Sequence, residues 1–393
     1  MRRRSRKPRH PIAKATQPRR SPRDAESEPR LEGEDWVEWG GQRIWAAGFT
    51  SGGAPYGLTE EEMRESSAAE GEALGADWAR AKRLLEQFLA NRSGPAVDIE
   101  IGWVRHLGRG LCRKAFTAEV SLSPDPASLS GDYVVLLALP DAEPSYDDRA
   151  RFEARLLTHL SSLDLPLRIP RILGLLSSAG RPVLLETRVA GIPLDLRAGR
   201  QPSVRPWDLV AQVAAAVHAL DSDILSFPAS PDGKVPGPAT RRDYALAKLS
   251  ALEGLPDPVF PEIHAWGMEH LPGPARSVLL HGDLLGQNIL LFPGELPGLI
   301  DWEWAHFGDP AYDLAIVTRG ARRPFQLADG LDRLLESYAA RSIEIRKDHV
   351  HLYELCLMAR QYVDALAENA RTHPPEVLLD RIYSAVRRVL KRG

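Results

Sequence analysis

The strongest constraint in this sequence is a change of period part-way along it. In the stretches 99–104, 116–122 and 133–139, apolar residues alternate or fall in short runs separated by turn residues, a strand pattern. A helical stretch at 147–161 follows, and extended patterns return at 170–176 and 182–187. Beyond Gly191 the spacing becomes helical. Trp207, Val210, Val213, Val217 and Leu220 line one face, and long amphipathic stretches fill 325–340, 347–369 and 376–390. Strands gathered in one stretch and helices in the next predict an α+β fold, a small antiparallel sheet lobe followed by a larger helical lobe. One strand-rich island, 278–302, interrupts the helices.

At 393 residues the chain is too long for a single ordinary core. Its 44% apolar and 26% charged residues exclude a wholly disordered protein. The longest apolar run, Tyr133 to Leu139, is far shorter than the ~20 residues of a membrane span. Two cysteines, Cys112 and Cys356, provide neither a disulfide framework nor a thiolate zinc cluster, so a cytoplasmic enzyme is expected, as a monomer or weak homodimer. The net charge of -3 is uneven. Ten basic residues and no acidic one precede Asp24, which leaves the remainder strongly acidic. Residues 1–35 read as a disordered basic tail whose only expected partner is a weakly held anion, nucleic acid or membrane surface. Residues 36–95 read as a helical extension. Thr59 and Glu62 have capping-box spacing, Leu58 and Met63 flank them as a staple, and a second helical stretch covers 76–90. The two lobes are then 96–187 and 188–393.

The island carries the chemistry. It contains His281-Gly282-Asp283, then Asn288 five residues after the acid, then Asp301 after a strand–turn–strand passage with Pro293-Gly294 at the turn. An acid, an amide five residues on, and a second acid beyond a hairpin is an arrangement used in phosphoryl transfer. Magnesium prefers hard oxygen ligands and keeps waters, which suits Asn288 and Asp301 as its protein ligands beside nucleotide phosphates. Asp283 is placed to orient an acceptor hydroxyl and take its proton, and His281 to brace the loop. Downstream, Asp309 and Pro310 read as the start of a helix that carries Asp313.

These motifs resemble the aminoglycoside phosphotransferase and choline kinase group, which has a protein-kinase-like bilobal fold. The run Gly308-Asp309-Pro310-Ala311-Tyr312-Asp313-Leu314-Ala315 adds to the likeness, which extends from about Val97 to the end of the chain. The resemblance implies ATP or GTP as phosphoryl donor, Mg2+, and a small hydroxyl-bearing acceptor of aminoglycoside, choline or sugar type. It implies a nucleotide-covering loop at Gly108 and Gly110, an acid at Glu153 that pairs with a strand lysine, and an adenine-binding hinge at Glu186, Thr187 and Arg188. It also implies that Asp309 and Asp313 support the catalytic loop and that His218 is structural. In one place the pattern fails: the strand 133–140 carries Ala138 where the resemblance puts a lysine, and no basic residue lies in it. Three explanations stand side by side. Arg113 or Lys114 supplies the cation, magnesium carries most of the charge compensation, or the protein is an impaired, kinase-like binding protein.

Overall fold

The computed structural model describes residues 36–39, 42–49, 55–94, 96–109, 113–125, 128–140, 142–201, 203–220, 240–319, 321–367 and 374–390. The expected basic tail at 1–35 and Gly110 lie outside them. The segment expected as a helical extension opens with an antiparallel three-stranded meander: β1 (Trp36–Trp39), β2 (Gln42–Phe49) and β3 (Pro55–Thr59). The two expected helical stretches are one helix, α1 (Glu60–Ser93), 34 residues long. Its first half is rich in Glu and Ala, good helix formers, but carries only Met63 and Leu74 as large apolar residues. Continuity there comes from propensity rather than periodicity, and Gly75 does not break it.

The alternating stretch forms β4 (Asp98–Arg109), β5 (Arg113–Ser123), β6 (Gly131–Ala138), β7 (Ile172–Ser178) and β8 (Arg181–Thr187), with α2 (Ser145–Leu160) inserted between β6 and β7. The strands make one antiparallel sheet in the order β4-β5-β6-β8-β7. Alternation sends Phe116, Ala118 and Val120 of β5, Val135 and Leu137 of β6, and Val183 and Leu185 of β8 to one face, where Ala81, Leu85, Phe88 and Leu89 of α1 cover them. Leu136 and Leu184 point to the other face, against Ala150 and Ala154 of α2. Contact with α1 is close enough that a Cβ on Gly174 would lie 2.7 Å from the Phe88 ring.

The other side of α2, through Phe152, Leu156, Leu157 and Leu160, joins the core of the helical lobe. That lobe begins with β9 (Ile192–Pro193) and contains α3 (Pro206–His218), α4 (Arg241–Ser250) and α5 (Val259–Glu269). Then come the island strands β10 (Val278–Leu280), β11 (Ile289–Leu291), β12 (Gly298–Leu299) and β13 (His306–Gly308), followed by α6 (Ala311–Thr318), α7 (Gly330–Ala339), α8 (Lys347–Leu366) and α9 (Pro375–Val389). No helix among the described residues is long and apolar enough to cross a membrane. The α+β expectation, a small antiparallel lobe and a larger helical one, holds.

Candidate active site

Two short pairings present the chemistry. β10 pairs with β13, and β11 pairs with both β12 and β9, all antiparallel. The loop 281–288 therefore leaves one pairing and enters the other, and Asp301 lies two residues beyond β12. Within the second pairing, the Ile300 amide donates to the Asn288 carbonyl at 3.0 Å, which sets the two metal-ligand candidates side by side. The Asn288 side-chain nitrogen donates to the Asp283 carbonyl (2.9 Å) and to Asp283 Oδ2 (3.0 Å). Asp283, Asn288 and Asp301 are thus linked by hydrogen bonds, and the charge of Asp283 acts on Asp301.

The loop is held from behind. Asp313, fully buried on α6, accepts from the backbone amides of His281 (2.8 Å) and Gly282 (2.9 Å). A carboxylate only accepts, so His218 donates to it through Nε2 (3.1 Å) and accepts the Tyr338 hydroxyl on Nδ1 (2.9 Å). Burial would raise the Asp313 carboxyl, yet these donors hold it below its ordinary value. His281 donates from Nε2 to the Ile300 carbonyl (3.0 Å), and its Nδ1 accepts the Asp283 amide (3.3 Å). Burial lowers its pKa, so the imidazole is neutral and braces the loop at Asp283 against the backbone before Asp301. Gly282 stands at φ +80, and a Cβ there would lie 2.0 Å from the Trp304 carbonyl oxygen. Only glycine fits at this point. Asp309 accepts the Ala311 amide (3.0 Å) and the Tyr353 hydroxyl (3.1 Å), capping a helix that starts one residue later than expected.

Burial raises the Asp283 carboxyl despite the nearby His281 and the Arg319 guanidinium, 3.9 Å from Oδ1. Asp301 is a non-glycine residue at φ 68, a strained backbone retained where side-chain direction matters. Burial, then repulsion from Glu303, pushes its pKa up to about 7. Asn288 commits its nitrogen to Asp283, and its side-chain oxygen accepts no hydrogen bond from the described residues. One carboxylate and one free amide oxygen fit a magnesium ion that takes its remaining ligands from phosphates and water. Among the described residues no group of three or more His, Cys, Asp or Glu could hold a metal, so no all-protein cage is built there.

The remaining expected positions are arranged as follows. Gly108 lies in β4 opposite Ala115, just past a register shift after His106. Glu153 on α2 is buried and bound by Arg113 at 2.6 Å. Glu186 is buried near the end of β8, and burial, then repulsion from Glu153, lifts its pKa to about 8. The Thr187 amide donates to the Arg171 carbonyl (3.0 Å) and the Arg188 amide to the Asp132 carbonyl (2.9 Å), so both donors are engaged within the protein. Glu303 was not singled out from the sequence. Its carboxylate lies 2.9 Å from Arg113, and its place two residues beyond Asp301 is the one signal that pointed to it.

A family model described as "Phosphotransferase enzyme family" matches residues 128–349, more than half of the chain. Viomycin phosphotransferase of Streptomyces vinaceus is 27% identical over 195 residues, covering 43% of this chain and 62% of its own length. Homoserine kinase of Agrobacterium fabrum (strain C58) is 31% identical over 168 residues, covering 41% of this chain and 49% of its own length. The chain thus spans less than two thirds of these curated relatives. Among solved structures, aminoglycoside phosphotransferase APH(4)-Ia superposes with a TM-score of 0.53 at 20% identity, over 77% of this chain and 97% of its own. The macrolide 2'-phosphotransferase MphH of Brachybacterium faecium superposes with a TM-score of 0.52 at 23% identity, over 79% of this chain and 97% of its own. At these identities the structural likeness establishes the protein-kinase-like fold alone, whereas the family match covers the loop 281–288 and the hairpin before Asp301. By that match, the chain belongs to the phosphotransferase enzyme family.

Proposed function

We propose that this protein transfers the γ-phosphoryl group of ATP or GTP to a hydroxyl group of a small molecule. The observation that carries the reading is the linkage of Asp283, Asn288 and Asp301 through one amide side chain and one hairpin hydrogen bond. Asp301 and the Asn288 side-chain oxygen would hold Mg2+, which when bound offsets charge on the phosphate oxygens. Asp283 accepts a hydrogen bond from the acceptor hydroxyl and receives its proton as the new oxygen–phosphorus bond forms. The bond from the γ-phosphorus to the bridging oxygen breaks, and the nucleoside diphosphate leaves. Burial favours this role, because it raises the basicity of Asp283 toward that of a proton acceptor.

The relatives' names span an aminoglycoside, a macrolide, viomycin and homoserine, which supports a hydroxyl-bearing small molecule without selecting one class. The test is Mg2+-dependent consumption of ATP and GTP across a panel of amino alcohols, sugars, aminoglycosides and macrolides. Asp283→Asn is expected to lower turnover roughly 100- to 10,000-fold, with melting temperature and nucleotide affinity retained. Equal turnover by variant and parent would refute the assignment.

A further inference from the structure

The strand expected to carry a phosphate-binding cation has none, yet a guanidinium occupies the space above it. In the β5/β6 register Arg113 stands directly opposite Ala138. Directly paired residues project to the same face, with Cβ atoms about 5 Å apart. Phe116 and Val135, another pair in that register, face α1, so the odd offset of three turns Arg113 and Ala138 to the α2 face. The methyl group of Ala138 leaves room for the longer side chain to cross above it. The guanidinium meets Glu153 of α2 at 2.6 Å, Glu303 at 2.9 Å and Asp301 at 3.7 Å, and only a tenth of the side chain is exposed. Lys114, the adjacent cation, turns to the opposite face and pairs with Asp77 of α1 at 2.6 Å.

We propose that Arg113 is the residue that grips the nucleotide phosphates in this protein, a cation moved one strand over from the place now held by Ala138. The inference rests on the phosphotransferase reading above. One guanidinium nitrogen is anchored on Glu153, which fixes the fork. The second reaches the metal hairpin, where phosphates bridged to Asp301 would come within its range. A purely structural ion pair would need Glu153 alone. Here three carboxylates surround one cation, and the charge left over suits a divalent ion bound together with a polyanion. Ala138 is then small because the arginine passes over it.

The experiment compares binding of Mg–ATP and of adenosine to the full-length protein and its variants by calorimetry. Arg113→Ala is expected to weaken Mg–ATP roughly thirtyfold or more and leave adenosine affinity unchanged, because the lost contact is to phosphate. Adding Ala138→Lys to Arg113→Ala is expected to recover most of the loss, since a lysine there rises on the same face toward Glu153. The pair Arg113→Gln with Glu153→Gln removes the cation together with the charge of its nearest carboxylate, and it is expected to show the same phosphate-selective loss if Arg113→Ala does not fold. Unchanged Mg–ATP affinity in folded Arg113 variants, equal losses for ATP and adenosine, or no rescue by Ala138→Lys would overturn the assignment. A parent protein that binds no nucleotide would overturn the phosphotransferase reading itself, and the assignment of Arg113 with it.

Discussion

At the scale of single residues, Glu186 shows how strongly the fold changes a side chain. Its carboxyl titrates near 4.5 in an ordinary setting and at about 8 here, first because it is buried and then because Glu153 repels its charge. A folded-state pKa above the unfolded one means that the folded protein holds a proton the unfolded chain has released. Its contribution to stability is therefore complete below pH 4.5 and is lost progressively as pH rises to about 8. Glu186→Gln, which mimics the neutral acid, should flatten this dependence. Melting temperatures of the two proteins are expected to be close near pH 5, with the Gln variant gaining steadily up to pH 8. A constant gap across that range would refute the buried neutral acid. Asp283, Asn288 and Asp301 were legible in the sequence because five residues of a loop and one hairpin fix their relation locally. The ion pairs made by Arg113 were not. They depend on the pairing of β5 with β6 and on the packing of α2, which no local pattern encodes. Two neighbouring cations were legible as candidates, and the parity of the strand separates them.

Among elements, the five sheet strands and α2 follow from alternation and helical spacing, and their limits differ from expectation by a few residues. The front of the chain was harder to read. Glycine-punctuated aromatics at 36–45 form a short hairpin, with Trp39 opposite Gln42, and β3 pairs with the other side of β2. The first half of α1 has almost no apolar periodicity to reveal it. Its second half does, through Ala81, Leu85, Phe88 and Leu89, and these four residues close the outer face of the sheet. Leu85 is fully buried in that contact. Leu85→Ala should lower unfolding free energy by about 2–5 kcal/mol, measured by denaturant titration, as expected for a cavity between helix and sheet. A loss below about 0.5 kcal/mol would mean that α1 is only loosely applied.

In the whole molecule, the two lobes meet at α2 and the segment that follows Asp301. Trp304, three residues past Asp301, lies under the Arg149 guanidinium at 4.1 Å and edge-on to Tyr146, with ring centroids 6.1 Å apart. With the Arg113–Glu303 pair, these contacts join the sheet lobe to the segment of the helical lobe that follows Asp301. Trp304→Ala should loosen that junction, at a cost of about 0.5–2 kcal/mol for the cation–π contact. Amide exchange in α2 should quicken while exchange in α8 stays as before. Unaltered exchange in α2 would show that the lobes are joined elsewhere.

The salt link between Lys114 and Asp77 has a consequence for anyone who shortens this protein. Lys114 is the neighbour of Arg113 on β5, and its anchor sits on α1. A protease cut or a cloning boundary placed after α1 would remove none of Arg113, Asp283, Asn288 and Asp301. It would still unfasten the edge of the strand from which the guanidinium reaches, and strip the cover from Phe116 beside it. The working length of this protein therefore begins well ahead of its recognisable motifs.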